Sequence, residues 1–486
     1  MTTMASDRAT TRAYAAGFPS AARRRLAWTI AACSLWISSP AAADPAALPA
    51  QATPAATPAA TAALGVEDCV ALAVRDSGLV AEAAARVGEW RGRLAEVEAL
   101  YYPKLAAMTW AAPMYRVRGG PFDQVQSDWS QWGPYLHLEA VLAQPLYTFG
   151  RVEAGKDAAQ QRTRVEEARV RQTRNAVALE ARRLYYLYLY ARSLQPALEQ
   201  ARKLLDNALE TARKENESGS GKVSMVDLQK LIYGSAELDR YRIQAAIGAD
   251  LALAALKHTL ALPQDATLTL EANTLPALPD APPPLGQLLL QAASDRPEWA
   301  QIRHGKSAAL SLAEAEKLSN WPVVFAAGQL QADWSPMRSD VSNPYFQDRY
   351  NQLFGGLALG LQFGVDPARA SARADQALAM AQQVEALAVF AATGIPMEVR
   401  KARDEWLQAL QIAARAQDGA AAARKWMVFA GAGFSTGTAE AKDVLEGLIA
   451  WLSARRVQIE AARDAHLARA QLLFAVGQDR DRLGAP

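Results

Sequence analysis

The sequence predicts a mainly α fold with a membrane β-barrel portion, in which a strand hairpin followed by a long antiparallel helix pair occurs twice. Three observations carry this expectation. The octapeptide QPLYTFGR, Gln144 to Arg151, joins a short alternating strand to a helix-forming stretch of about sixty residues, and the junction recurs about 218 residues later as LQFGVDPAR, Leu361 to Arg369. Two turn segments also match, Gly221 with Gly437 and Asp227 with Asp443, both 216 residues apart. Finally, the candidate strands alternate over roughly the 9 to 11 residues that a tilted transmembrane strand needs. An internal duplication of this kind bounds the fold.

Residues 1–43 read as a signal peptide. Arg23, Arg24 and Arg25 precede the apolar run Leu26 to Ile37, and Ala41 and Ala43 stand at the small positions before Asp44. Twelve apolar residues fall short of the roughly 20 that a membrane-spanning helix requires, so no transmembrane helix is expected. Ile30-Ala31-Ala32-Cys33 also resembles a lipobox, which leaves open whether Cys33 is lipidated or removed with the leader. Residues 44–63, rich in Pro, Ala and Thr and without apolar periodicity, form a flexible tether. The other cysteine, Cys69, is expected to serve packing.

From Val66 to Leu100 the pattern is helical, with Val80, Val87, Leu94 and Tyr101 at sevens and Ala83, Trp90 and Val97 between them. Pro103 stops it. Lys104 to Met114 and Tyr135 to Ala143 follow as strands; in the second, Leu136, Leu138, Ala140 and Leu142 alternate with Tyr135, His137, Glu139 and Val141. A long helix from Arg151 to Lys214 carries Val170, Val177, Leu184, Ala191, Leu198 and Leu205 at strict sevens, and a Gly/Ser turn, Glu215 to Lys222, leads to a return helix, Val223 to Leu262.

The Pro-rich linker Leu275 to Pro284 closes a first repeat, 64–284, and the second, 285–477, has the same plan. Its helix runs from Leu285 to Leu318 and its strands from Val323 to Trp334 and Leu353 to Phe363. A long helix, Ala368 to Phe429, then turns at Gly431 to Thr438 into a return helix ending near Val476, and 478–486 is a tail. Val324, Ala326, Leu330 and Trp334 share one face of the first strand, and Leu353, Leu357, Leu359, Leu361 and Phe363 one face of the second; Gln329, Gln331, Asp333 and Gln362 lie opposite. Pro196 and Pro396 are expected to kink or interrupt the long helices.

Composition narrows the function. Hydrophobic residues make up 51% of the chain but aromatics only 8%, because alanine, the strongest helix former, dominates. The formal charge of +2 becomes −2 once the leader's five arginines and Asp7 are removed, which argues against a general nucleic-acid surface. His137, His258, His304 and His466 are scattered, without metal-ligand spacing, and are expected at surfaces or interfaces; with no phosphate loop or nucleophile motif, the reading is no enzyme, no metal and no cofactor. Aromatics crowd the strand-joining segments, Trp110, Tyr115, Phe122, Trp129, Trp132 and Tyr135 in the first and Trp334, Tyr345, Phe346 and Tyr350 in the second, as suits a membrane interface. Four strands cannot close a barrel, so the chain is expected to oligomerise.

Three segments carry a family resemblance. The segment from Val66 to Leu105 resembles the opening helix of TolC-like outer-membrane efflux proteins, QPLYTFGR the family's strand-to-helix junction, and GSGKVSMVDLQKL its turn and following helix. Asp76-Ser77-Gly78 departs from the family's usual Asn-Pro after the first turn, whereas Arg296-Pro297 keeps the proline. The resemblance implies a homotrimer with a 12-stranded β-barrel in outer-membrane lipid on a periplasmic α-helical barrel. Such a chain is the channel of a tripartite efflux or type I secretion system, working with a periplasmic adaptor (membrane fusion protein) and an inner-membrane pump. It also implies that the adaptor docks on the hairpin tips, here Gly219, Ser220, Gly221, Lys222, Val223 and Ser224, and Phe434, Ser435, Thr436, Gly437 and Thr438. Asp227, Glu440 and Asp443, just beyond the tips, admit two readings: acidic rings at a constriction, or the acids that stabilise a helix's first turn, which is preferred. Tyr185, Tyr186, Tyr188 and Tyr190 are expected to pack. The rival reading is an exported periplasmic coiled-coil scaffold or adaptor; cargo and pump family (RND, ABC or MFS) are not legible.

Overall fold

A run of alanine and heptad-spaced aliphatics long enough for eighteen turns has one stable outcome in water: a helix whose apolar stripe is covered by other helices. In the computed structural model, which describes residues 63–118, 126–218, 224–338 and 349–480, such helices dominate. Helices α1 (Val66–Asp76) and α2 (Gly78–Glu98) lead into strands β1 (Lys104–Arg118) and β2 (Gln126–Tyr147), then α3 (Arg151–Glu217) and α4 (Met225–Thr259). The second half repeats the order as α5 (Leu285–Asp295), α6 (Pro297–Lys317), β3 (Val323–Trp334), β4 (Gln352–Gln362), α7 (Pro367–Thr436) and α8 (Ala441–Val476). The signal peptide, Cys33, the tether as far as residue 62, Gly219 to Val223, Phe122, Tyr345, Phe346 and residues 481–486 lie outside the described residues.

The described residues fall into two compact units, one formed by Glu98–Val152 with Leu318–Pro367, the other by the helical segments. The first unit is an antiparallel sheet in the order β1-β2-β3-β4. Strand β3 has the expected bounds, but β1 and β2 run on past Met114 and on both sides of 135–143, so the first hairpin reaches well beyond the second.

In the helical unit α3 spans 67 residues and α7 spans 70, each about 100 Å of helix. Both continue through their prolines, Pro196 and Pro396, which therefore do not interrupt them. Their stripes are buried in three clusters. Leu198, Leu205 and Leu209 of α3 meet Leu231 and Leu238 of α4 and Val444, Leu448 and Trp451 of α8. Cys69, Val70 and Val74 of α1 pack with Tyr185, Tyr186 and Leu189 of α3, so the tyrosines pack as expected and burial raises the Cys69 thiol to about 12, leaving it inert. Leu288 of α5, Val399 and Trp406 of α7, and Leu472 and Val476 of α8 form the third.

The opening helix of each repeat is two helices, not the single one expected. Ser77 and Arg296 at the breaks are extended (ψ 125° and 122°). Pro297 explains one break, since proline forces the preceding residue out of the α region. At the other, the Ser77 hydroxyl accepts the Leu79 amide at 3.2 Å and caps the second helix. A buried arginine secures each short helix. Arg182 on α3 grips Glu67 of α1 at 3.0 and 3.1 Å, and Arg296 bridges to Glu398 of α7 at 2.6 Å.

Candidate membrane span and helix tips

The ladder assigns every strand residue to a face, because directly paired residues point the same way and neighbours along a strand alternate. Leu105 pairs with Leu142, Ala107 with Ala140 and Thr109 with Leu138; Leu138 then pairs with Ala332 and Ala140 with Leu330. Val324 pairs with Leu361, Ala326 with Leu359 and Gly328 with Leu357. One face is thus apolar across all four strands and carries no charged residue between Leu105 and Ala111, Leu136 and Leu142, Val324 and Trp334, or Leu353 and Leu361. It is uncovered: Leu357 is 93% exposed, Leu359 78% and Leu105 69%. Monomeric soluble proteins do not present a face of that extent to water.

The opposite face mixes apolar side chains such as Met108, Val141 and Phe325 with the sheet's polar ones, and its polar part is built around one carboxylate. Asp333, 5% exposed, accepts hydrogen bonds from the Tyr135 hydroxyl and His137 Nδ1 on β2 (2.6 Å each), from Gln352 on β4 (2.7 Å) and from its own strand's Gln331 (2.9 Å). Four partners saturate a buried carboxylate, and this one ties the two hairpins together. Trp110 lies against Tyr135 and His137, with ring centroids 5.1 and 5.2 Å apart, so His137, expected at a surface or interface, sits inside this cluster. Glu139, farther along β2, accepts from Gln329 at 3.4 Å. Sequence reading placed Gln331 and Asp333 on this face; their convergence with residues almost 200 positions away left no local signal.

Aromatics stand at both ends of the sheet. Tyr147 packs edge-on to Phe149, which meets Trp321, at the end where helices leave; Tyr115, Trp129 and Trp132 cluster at the other. Strands of 11 and 12 residues, at about 3.3 Å per residue and tilted about 40°, rise roughly 28 Å, the thickness of a hydrocarbon core. The strand-to-helix junction folds locally: Thr148 shares a 3.0 Å hydrogen bond with Tyr101 and its carbonyl accepts the Arg151 amide, while Phe149 and Gly150 turn through positive φ (54° and 87°). Gly150 belongs where the backbone is left-handed; Phe149, which is costlier there, is held by the two aromatic contacts.

At the first tip, Gly219 to Val223 lie outside the described residues, and Ser224 is the N-cap of α4. Its hydroxyl accepts the Asp227 amide at 3.1 Å and donates to the Asp227 carboxylate at 2.7 Å; that bond, with Lys230 nearby, lowers the Asp227 pKa. At the second tip the turn is narrower than expected, because α7 continues to Thr436 and takes Phe434, Ser435 and Thr436 with it. Gly437 turns the chain with φ 76°, and Thr438 donates its amide to the Gly433 carbonyl at 2.8 Å. Phe434 packs, half-buried, against the cluster of Leu231 and Leu448, while Ser435 and Thr436 are exposed. Glu440 is the N-cap of α8, and Asp443 accepts its amide at 3.0 Å. All three acids therefore occupy first-turn capping positions.

Two further histidines also lie in the helical unit's packing. His304 Nδ1 contacts the Gln161 side chain at 2.7 Å. His466, expected at a surface or interface, is 5% exposed and stacks on Tyr186 at 4.7 Å, and burial lowers its pKa.

No family model and no curated protein sequence matches the chain. Solved structures do. The chain is similar to the outer membrane protein VceC from Vibrio cholerae at 15% identity, covering 85% of this chain and 96% of that one with a TM-score of 0.67. It is similar to the CmeC outer membrane channel of Campylobacter jejuni at 13% identity, covering 85% of each chain with a TM-score of 0.69. A membrane protein from Pseudomonas aeruginosa aligns at 16% identity over 85% of this chain and 93% of its own, with a TM-score of 0.68. The chain shares its fold with these membrane proteins, the fold class that the sequence predicts.

Proposed function

We propose that the chain is the outer-membrane channel of a tripartite efflux or type I secretion system, passively conducting substrates from a periplasmic adaptor and inner-membrane pump to the exterior. The observation that carries this reading is the uncharged, uncovered face running across four strands whose outer edges, on β1 and β4, have no partner strand among the described residues. Open edges are not tolerated in lipid, and bacterial barrels need about eight strands or more, so the sheet is completed by other copies. Three copies supply twelve strands.

The helical unit supports the same assembly. On α4 Ile243, Ile247 and Leu251 are 60 to 69% exposed, and on α7 Leu387, Phe390 and Met397 are 60 to 75% exposed, both at helical spacing. Part of α7 is apolar enough by composition to cross a membrane (mean hydropathy 1.4). In a 70-residue amphipathic helix that stretch reads instead as a face for neighbouring helices. The channel performs no chemistry: it provides a wet path, lined in the barrel by the Asp333 face and closed or opened at the helix tips, where the adaptor docks on residues 219–224 and 434–438. Small residues at both tips, and the short turn at Gly437, permit close helix-tip contact.

Purification from outer membranes in detergent, with native mass and planar-bilayer conductance, tests the reading. A conducting trimer supports it; a water-soluble monomer or dimer hands the case to a periplasmic scaffold.

A further inference from the structure

Inside the helical unit the two repeats meet at a polar cavity of about 310 Å³. Its walls come from three places: Arg171 on α3, the α5–α6 break with Asp295 and with Trp299 and Arg303 on α6, and the segment Gly477–Asp479 that follows α8. Helix α8 stops at Gly477 hard against the backbone of Asp295 and Arg296, which holds Gln478 and Asp479 beside the break.

Most of the charge around this cavity is matched. Arg296 is engaged by Glu298 and Glu398, and Asp479 pairs with Arg174 at 3.1 Å. Asp295 accepts from the Ser294 hydroxyl at 2.8 Å and from Gln478 Nε2 at 3.3 Å. Arg171 and Arg303 have neither an ion pair nor a hydrogen bond among the described residues. Their charge is felt nearby: burial, and then Arg164, Arg303 and Arg171, lower the pKa of His304, and Glu167, the carboxylate that opposes them there, is held by Arg91 at 2.9 Å.

Arginines without protein partners are ordinary where water serves them. Unmatched buried atoms are not. Trp299 Nε1, a donor, and Gln478 Oε1, an acceptor on a residue only 9% exposed, have no hydrogen-bond partner among the described residues. Reversing the Gln478 amide does not cure this, because its nitrogen is the end that Asp295 accepts from. Two guanidinium groups and an indole offer donors only, which suits an oxyanion, while Gln478 Oε1 requires a donor in return. A cavity of this size suits a small molecule rather than a folded partner.

We propose that Arg171, Arg303, Trp299 and Gln478 bind a small oxyanion that also carries a hydroxyl, a phosphate monoester or a hydroxycarboxylate. The guanidinium and indole groups hold the oxyanion, and the hydroxyl donates to Gln478 Oε1. Such a ligand joins α3 of the first repeat to α6 and the end of α8 in the second, and it offsets the repulsion between the two arginines. Every wall belongs to one chain, so the site stands whether or not the chain is a channel.

Detergent-purified wild type, Arg171→Gln, Arg303→Gln and Arg164→Gln are titrated calorimetrically with glycerol phosphate, citrate and sulfate at constant ionic strength, which holds screening fixed, and the ligand-free melting temperature of each is measured. Arg164 is the control, since it acts on His304 but does not line the cavity. Glycerol phosphate or citrate is expected to bind wild type and Arg164→Gln alike, the tighter of the two identifying the ligand class, and to bind Arg171→Gln and Arg303→Gln roughly tenfold more weakly. Sulfate, which has no hydroxyl, is expected to bind wild type more weakly than either. Without ligand, Arg171→Gln and Arg303→Gln should melt no lower than wild type, because each loses a repulsion and no bond. Failure of both hydroxylated anions to bind, sulfate binding as tightly as they do, or an equal loss in Arg164→Gln overturns the site. Ligand-free melting lowered in both cavity variants overturns it too, by making the arginines structural. Native mass and conductance of the same preparation report on the channel reading separately.

Discussion

At the scale of single residues, two buried groups make opposite demands. Asp333 is charged and saturated; truncation to alanine removes the acceptor from Tyr135, His137, Gln331 and Gln352 together and separates β2 from β4. Unmatched buried donors cost about 1 to 3 kcal/mol each where water cannot reach them, so Asp333→Ala is expected to lower the temperature of trimer dissociation, and Asp333→Asn, which keeps one acceptor oxygen, to lower it less. His466 is buried neutral, its pKa held below 6.5 mainly by burial. Above 6.5 both folded and unfolded chains are neutral and stability is full. As pH falls from there toward the folded-state pKa, only the unfolded chain takes up the proton, and stability declines by at most about 1.4 kcal/mol per pH unit. His466→Phe, which keeps a ring on Tyr186, is expected to flatten thermal stability between pH 7.5 and 5.5. An unchanged slope would assign the pH dependence to other groups, His304 first among them, since its pKa is also lowered by burial.

At the scale of elements, caps and breaks decide where helices begin. Ser224→Ala removes the hydroxyl that accepts the Asp227 amide and is expected to cost about 1 kcal/mol, confined to the tip of α4. Hydrogen exchange should therefore quicken in the first turns of α4 and stay unchanged around Leu256; uniform acceleration along the helix would contradict a local role. The same chemistry explains what was legible in the sequence. Alternation over Val323–Trp334 and the heptads of α3 report periodic burial, and those elements came out as read. The break at Ser77 was not legible, because a serine cap and an extended serine leave no periodic trace, whereas Pro297 announces its break sterically. The lengths of β1 and β2 were missed for a related reason: Pro113, Gly133 and Pro134 look like strand ends, yet Pro113 pairs with Pro134 inside the ladder. Proline is tolerated there because β3 pairs with β2 only from Leu136 onward, so that stretch of β2, like β1 in the single chain, has one open side.

At the scale of the whole molecule, the channel reading gives the exposed apolar face of the sheet to lipid and the face around Asp333 to water, and a face-selective substitution tests that division. Leu357 and Leu359 are the most exposed leucines of the apolar face, near the middle of β4. A lysine on the lipid side of a barrel costs about 2 to 4 kcal/mol near the bilayer midplane. Leu357→Lys with Leu359→Lys, repeated in three copies, is therefore expected to abolish the heat-resistant trimer in outer membranes. Gln329→Lys places one lysine on the neighbouring strand but on the opposite face, within reach of Glu139, and is expected to leave trimer yield near wild type while shifting ion selectivity toward anions. Quantifying trimers on unheated gels beside bilayer recordings distinguishes the faces. If both substitutions were tolerated, neither face would contact lipid and the sheet would be a soluble one. If Gln329→Lys alone blocked assembly, the barrel would be inverted, an arrangement incompatible with the saturated polar cluster around Asp333, whose outward exposure would place a carboxylate in hydrocarbon.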